Sequence, residues 1–329
     1  MAKNHVPEMV RVHRIEGEDV ASLKHVPEDF LVEEIWQPEF SGEGEHLYLF
    51  VEKTGQNTPW IAKQLANSFG ICEKNVGYSG LKDRQAVTKQ WFSLPVPAQK
   101  AKIDPIVEGM RILHKARHVS KLRRGSHSGN SFQIRLRDLE ADKEQLISRL
   151  QAVSDQGFPN YFGLQRFGRS GNNLRAGRQL AKSRKLVGHP KRGIYLSAMR
   201  SSLFNQVLAE QIRVGNWPAI LDFDSGLDTS LDDESKLAAT GPMWGRGRPL
   251  FAEIGKDIES EVVKENAELC DLLEHGGLSQ ERRPLRQYAE NLSWVIEDKD
   301  LLMQFCLPPG SYATVLIDEI IGVRVGIKK

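Results

Sequence analysis

Cysteine is scarce in this chain. Cys72, Cys270 and Cys306 are its only three, too scattered for a disulfide framework, and none falls in a C-x-x-C or His-paired spacing that would suggest zinc. Buried structural thiols are expected. Long apolar runs are also missing: no stretch of about 18 uncharged apolar residues occurs, which speaks against a membrane helix. The opening MAKNHVPEMVRVHRIEGEDV has no apolar run of the signal-peptide kind, so a cytoplasmic location without membrane association is expected. The motif inventory is equally bare. There is no G-x-x-x-x-G-K-[ST] loop, no Rossmann glycine fingerprint after a strand, no G-x-S-x-G elbow and no H-E-x-x-H pair. Neither a nucleotide cofactor nor a metal is expected.

Acidic residues are absent from two windows. Residues 111 to 137, RILHKARHVSKLRRGSHSGNSFQIRLR, hold eight Lys/Arg and three His, so the overall net charge of +2 conceals a strongly basic stretch. Gln156 to Ala209 again lacks Asp and Glu while Arg166, Arg169, Arg175, Arg178, Lys182, Arg184, Lys185, Lys191, Arg192 and Arg200 accumulate. Acids return in DFDSGLDTSLDDES (222 to 235) and EIGKDIESEVVKENAELC (253 to 270). A solvated charged face would account for a lone basic run. Here the cations alternate with glycines and aromatics, as in NYFGLQRFGRSGNN (160 to 173), where backbone can approach phosphate and rings can stack on bases. Single-stranded or distorted RNA suits that chemistry better than duplex DNA.

At 329 residues, with 40% hydrophobic and 27% charged residues, the chain has room for about two domains with a sizeable core. GEHLYLFVEK (44 to 53) sets Leu47, Leu49 and Val51 against Tyr48 and Phe50, a strand covered on both faces. NTPWIAKQLANSFG predicts a helix, with Asn57 or Thr58 as cap, Pro59 in the first turn, Ile61, Leu65 and Phe69 inward and Gly70 as stop. Further helices are predicted at 141 to 154 and 201 to 214, and strands at 29 to 36, 91 to 96 and 131 to 137. The irregular alternation argues for a mixed fold rather than a doubly wound sheet.

One short stretch carries possible chemistry. In GYSGLKDRQAVTKQW (77 to 91), Asp83 follows a glycine turn between Lys82 and Arg84. Flanking cations favour an ionised carboxylate that could serve as nucleophile or base, but an ordinary exposed ion pair has the same spacing.

That stretch, with VPEDFLVEE (26 to 34), HKARHVSKLRRGSHSGNSFQI (114 to 134), PNYFGLQRFG (159 to 168), LSAMRSSLFNQVLAE (196 to 210), TGPMWG (240 to 245) and LPPGSYATVLIDEII (307 to 321), resembles the TruD family of tRNA pseudouridine synthases. The matching stretches keep the family's order and run nearly end to end. The resemblance implies isomerisation of uridine to pseudouridine in tRNA, at position 13, with other RNAs left open as further substrates, and with no cofactor and no obligate protein partner. Asp83 matches the catalytic aspartate; attack on the ribose C1′, attack on the uracil ring and a glycal-type route all stay open. Lys24 matches the basic residue that pairs with it. Phe30, Asn160, Phe162 and Tyr312 match substrate-contacting positions, although Phe30 would serve equally in a core and Asn160 equally in a turn. Some family members have phenylalanine where this chain has Tyr312. Lys121, Arg123, Arg124 and Arg166 are the candidates for RNA phosphate contact.

The implied fold is α+β: a pseudouridine-synthase catalytic domain on a mixed, largely antiparallel sheet (1–185 and 287–329), interrupted by an inserted α/β TRUD domain (186–286). Under that layout Tyr312 must return beside Asp83 and Asn160. A non-catalytic RNA-binding or RNA-chaperone protein of the same fold is the alternative, opposed by the intact Asp83. A hydrolase would call for a second, water-activating carboxylate.

Overall fold

The computed structural model of the protein describes residues 6–14, 17, 19–97, 104–183, 186–222, 240–247 and 255–325. Arg184, Lys185, Glu253 and all but the first residue of the acidic stretch 222 to 235 lie outside them.

The chain opens with β1 (Val20–Leu23), β2 (Phe30–Ile35) and β3 (His46–Thr54), then α1 (Thr58–Phe69), β4 (Gly77–Tyr78), β5 (Val87–Pro95), β6 (Met110–His118) and β7 (Gly129–Glu140). A helical stretch follows: α2 (Lys143–Gln156), the short β8 (Phe158–Pro159), α3 (Asn172–Lys182), α4 (Arg192–Arg213) and α5 (Trp217–Asp222). After β9 (Thr240–Met243) come α6 (Lys256–Glu265), α7 (Ala267–Glu274), β10 (Glu281–Pro284) and β11 (Arg286–Gln287). β12 (Glu290–Glu297), β13 (Asp300–Leu307), α8 (Ala313–Ile320) and β14 (Gly322–Val325) complete it. Among the described residues, no helix is long and apolar enough to cross a membrane.

The described residues divide into two compact units. The first draws on Met1–Gly17, Lys143–Tyr288 and Gly310–Ile321, the second on Glu18–Asp142, Ala289–Pro309 and Gly322–Lys329. The segment 186–286 falls in the first unit, together with 143–183.

The second unit is built on a ten-stranded sheet with the path β12-β13-β7-β2-β5-β3-β6, joined by β1, β14 and β4 at its side. Among the described residues, only β1–β14 and β2–β5 of this sheet pair in parallel, so it is mixed and largely antiparallel, as expected. The strand period of two explains its layering. Leu47, Leu49 and Val51 of β3 face α1 and pack with Ile61, Leu65 and Phe69, while Tyr48 turns to the other face beside Trp91. α1 begins and ends where its capping residues dictate: Asn57 accepts a hydrogen bond from the Trp60 amide at 2.8 Å, and Gly70 takes the left-handed conformation at φ 65°.

The first unit is organised around α4. This helix starts nine residues earlier than expected, because Tyr195, Leu196 and Met199 extend its buried stripe toward the N-terminus and Gly193 sits in the first turn, where its cost is small. α3 crosses α4 closely at Gly177, where a Cβ would lie 3.1 Å from that of Tyr195.

Candidate active site

The expected site residues fall into two groups, one in each unit. Lys24, Phe30 and Asp83 belong to the second unit, with the cations Lys121, Arg123 and Arg124; Asn160, Phe162, Arg166 and Tyr312 belong to the first.

Asp83 lies in the loop between β4 and β5, with its side chain 42% exposed. One carboxylate oxygen accepts from Lys24 Nζ in a very short ion pair, and the other accepts from the Gln85 amide at 3.2 Å. Burial works against ionisation, but the charge and hydrogen bond of Lys24, aided by the Gln85 and Arg84 amides, outweigh it and hold the carboxyl below its usual range. Lys24 is aimed by the turn that follows β1. It adopts φ 58°, unusual for a residue with a side chain, and its Nζ stands 4.2 Å from the centroid of the Phe30 ring. The turn is locked by Asp29, which accepts from the Val26 amide at 3.1 Å and takes a forked contact from Arg137. Phe30 is itself buried, packed edge-to-face on Phe132.

The cations beside Asp83 in sequence do something else. Lys82 turns inward to Glu34 at 3.1 Å, a pair with side chains 6% and 0% exposed, while Glu34 also accepts from the Trp91 amide. The Lys82 amide donates to Thr58 Oγ1 at 2.9 Å, and Arg84 donates to the Gly55 carbonyl. These contacts fix the loop rather than the carboxylate. A further lysine, Lys53, lies beneath it, 1% exposed, donating to the carbonyls of Gln56 (2.7 Å) and Asp83 (2.9 Å). Burial lowers its pKa to about 8 against the attraction of Asp83. Sequence reasoning passed over Lys53, although it continues the inward register of Leu47, Leu49 and Val51.

Lys121, Arg123 and Arg124 are exposed on the same unit and line a groove with Tyr78 and Lys74. The Arg124 guanidinium lies 3.8 Å from the centre of the Tyr78 ring, and Lys121 Nζ donates to the Lys74 carbonyl.

In the first unit, α4 places Phe162: Asn205 accepts from its amide and donates to its carbonyl, each at 2.9 Å. The Phe162 ring is buried, edge-to-face with Phe204 and with Tyr312. Tyr312 stays partly exposed and accepts a hydrogen bond from Arg166 Nε at 2.9 Å. Gly163 permits this approach, since a Cβ there would lie 2.9 Å from Tyr312 Cδ1. Asn160 is buried with its amide engaged at both ends, donating to the Pro284 carbonyl and accepting from Arg283. Arg283 and Asn205 were not singled out from the sequence. Asn205 has the look of an ordinary polar residue on a helix, and Arg283 is one of two adjacent arginines.

Over 96% of this chain and 95% of the other, the fold resembles a solved structure from Methanosarcina mazei, a candidate tRNA pseudouridine synthase D (TruD), with a TM-score of 0.64 at 19% identity. The two chains thus share a fold. Residues 16–187 and 172–320 match the family described as tRNA pseudouridine synthase D (TruD). The tRNA pseudouridine synthase D of Cellvibrio japonicus is 42% identical over 92% of this chain and 90% of its own length, and that of Stutzerimonas stutzeri 42% over 94% and 96%. The chain belongs to the TruD family of tRNA pseudouridine synthases.

Proposed function

We propose that this protein isomerises uridine to pseudouridine in tRNA, at position 13, with Asp83 as the catalytic carboxylate. The net reaction breaks the N1–C1′ bond, forms a C5–C1′ bond, removes the proton from C5 and leaves one on N1. It is redox-neutral. The observation that carries the assignment is the Lys24–Asp83 pair: a carboxylate kept ionised, oriented from one side and open to solvent on the other, in a chain of this family. Tyr312, the partly exposed ring of its group, supplies a surface against which an unstacked base can rest, with Phe162 behind it. Lys121, Arg123 and Arg124 supply positive charge for the RNA backbone. The protein is expected to work in the cytoplasm without an obligate protein partner.

The experiment is incubation of the purified chain with unmodified tRNA transcripts, followed by pseudouridine mapping at single-nucleotide resolution. Conversion at position 13 supports the assignment. Conversion elsewhere would overturn the position, and no conversion in any transcript would overturn the activity.

A further inference from the structure

Arg282 and Arg283 are neighbours on β10 and point to opposite sides of the strand, with contrasting surroundings. Arg282 is paired with a carboxylate: its Nη2 lies 2.8 Å from Glu259, and both side chains are nearly fully buried. Arg283 has no such partner. Its Nε donates to the Asn160 carbonyl at 3.3 Å, and its Nη2 donates to Asn160 Oδ1 and to the Gly310 carbonyl at 3.0 Å, all neutral acceptors. Its Nη1 has no acceptor among the described residues and is not a buried atom. The guanidinium stands over Phe162, with Cζ 4.2 Å from the ring centre.

A second guanidinium stands against the same ring. Arg166 Cζ is 5.3 Å from the Phe162 centroid, with Nε committed to the Tyr312 hydroxyl and Nη1 to Ser197 Oγ at 3.0 Å. Among the described residues, no carboxylate pairs with either arginine. Both side chains are partly buried with no carboxylate to balance them, and burial lowers the Arg283 pKa to about 10, with the charge of Arg166 adding to the fall. An arrangement that holds both guanidinium groups with neutral acceptors, and leaves one Nη of Arg283 open, is preorganised for an anion that arrives from outside.

We propose that Arg283, together with Arg166, forms a seat for one phosphate of the RNA substrate, so that the substrate supplies the counter-charge the fold withholds. Asn160 and Gly310 then act as positioning groups that hold the Arg283 fork, and Phe162 as the platform beneath it. The seat rests on the proposed action on tRNA.

The test is equilibrium binding of unmodified tRNA to the full chain as a function of salt concentration. Removing one cation that neutralises a phosphate lowers the slope of log affinity against log salt by about one. Arg283→Gln is expected to lower the slope by that amount and weaken binding at low salt by at least about tenfold, with Arg283→Lys recovering part of the slope. A second arm keeps the wild-type protein and replaces, one at a time, the phosphates around the target uridine by uncharged methylphosphonates. One position is expected to weaken binding to the wild type but not to Arg283→Gln; if that variant does not fold, Arg166→Gln takes its place in the comparison. An unchanged salt slope in Arg283→Gln, or no methylphosphonate position that discriminates, overturns the seat and leaves Arg283 as a structural tie between Asn160 and Gly310. Wild-type protein that neither binds nor modifies tRNA would instead overturn the proposed function.

Discussion

Lys24 Nζ is bonded at once to the Asp83 carboxylate and to the face of Phe30, so one lysine in a left-handed backbone conformation links the candidate catalytic group to the sheet core. Holding a side-chain-bearing residue at φ 58° costs of the order of 1 kcal/mol, and the paired contacts offset it. Because Asp83's pKa lies below the ordinary range, its ionised form persists to lower pH than a free carboxylate's. Lys24→Met is therefore expected to move the acid limb of kcat/KM to higher pH and, through poorer orientation, to lower the plateau by about 10- to 100-fold. A pH–rate profile of the two proteins checks this; an acid limb that does not move contradicts the role given to Lys24.

Lys82 and Glu34 form the other ion pair of the loop, and it is buried. Lys82→Met leaves the Glu34 carboxylate uncompensated and is expected to cost about 3–5 kcal/mol of stability. Glu34→Gln in the same chain removes the stranded charge while keeping an acceptor for the Trp91 amide, so the double variant should be more stable than Lys82→Met alone. Urea unfolding of the two singles and the double measures the coupling; strictly additive losses would mean that the pair does not anchor the loop.

Lys53 predicts a pH dependence of stability. Its folded pKa of about 8 lies below the ordinary 10.5, so between those values the unfolded chain holds a proton that the folded chain has released. Stability from this group is depressed below pH 8 and recovers as pH rises toward 10.5, by up to about 3 kcal/mol. Lys53→Met should lack that component, so the difference in unfolding free energy between wild type and variant should change across this window. A constant difference would show that Lys53 does not titrate there.

Gly163 gives a steric test of the Tyr312 ring. Its φ is −65°, so alanine adds no backbone strain, but the new Cβ would meet Tyr312 and Gln165. Gly163→Ala is expected to change thermal stability little and to lower kcat/KM about tenfold or more through displacement of the ring. Loss of stability without loss of turnover would assign Gly163 a packing role.

Part of this fold was legible from the chain alone, while elements such as β6, β12, β13, α3 and α8 were not predicted. β3 and α1 declare themselves because a two-residue alternation and a capped four-residue stripe are local patterns. The candidate site was legible only through the family resemblance that singled out Asp83 and Lys24, since no local rule pairs residues so far apart. Local charge counting misread Lys82: adjacency to Asp83 suggested a partner, whereas the backbone sends its side chain inward to Glu34. Lys53 and Arg283 stayed hidden for a related reason. A cation in a strand reads as surface until its carbonyl acceptors or its aromatic platform are assembled from distant segments.

Whether Asp83 performs the chemistry or merely holds RNA is tested most directly by a single variant. Purified Asp83→Asn, nearly isosteric, should bind unmodified tRNA with affinity close to that of the wild type and form no pseudouridine in single-turnover assays with enzyme in excess. Pseudouridine formation at the wild-type rate by Asp83→Asn would contradict the assignment outright.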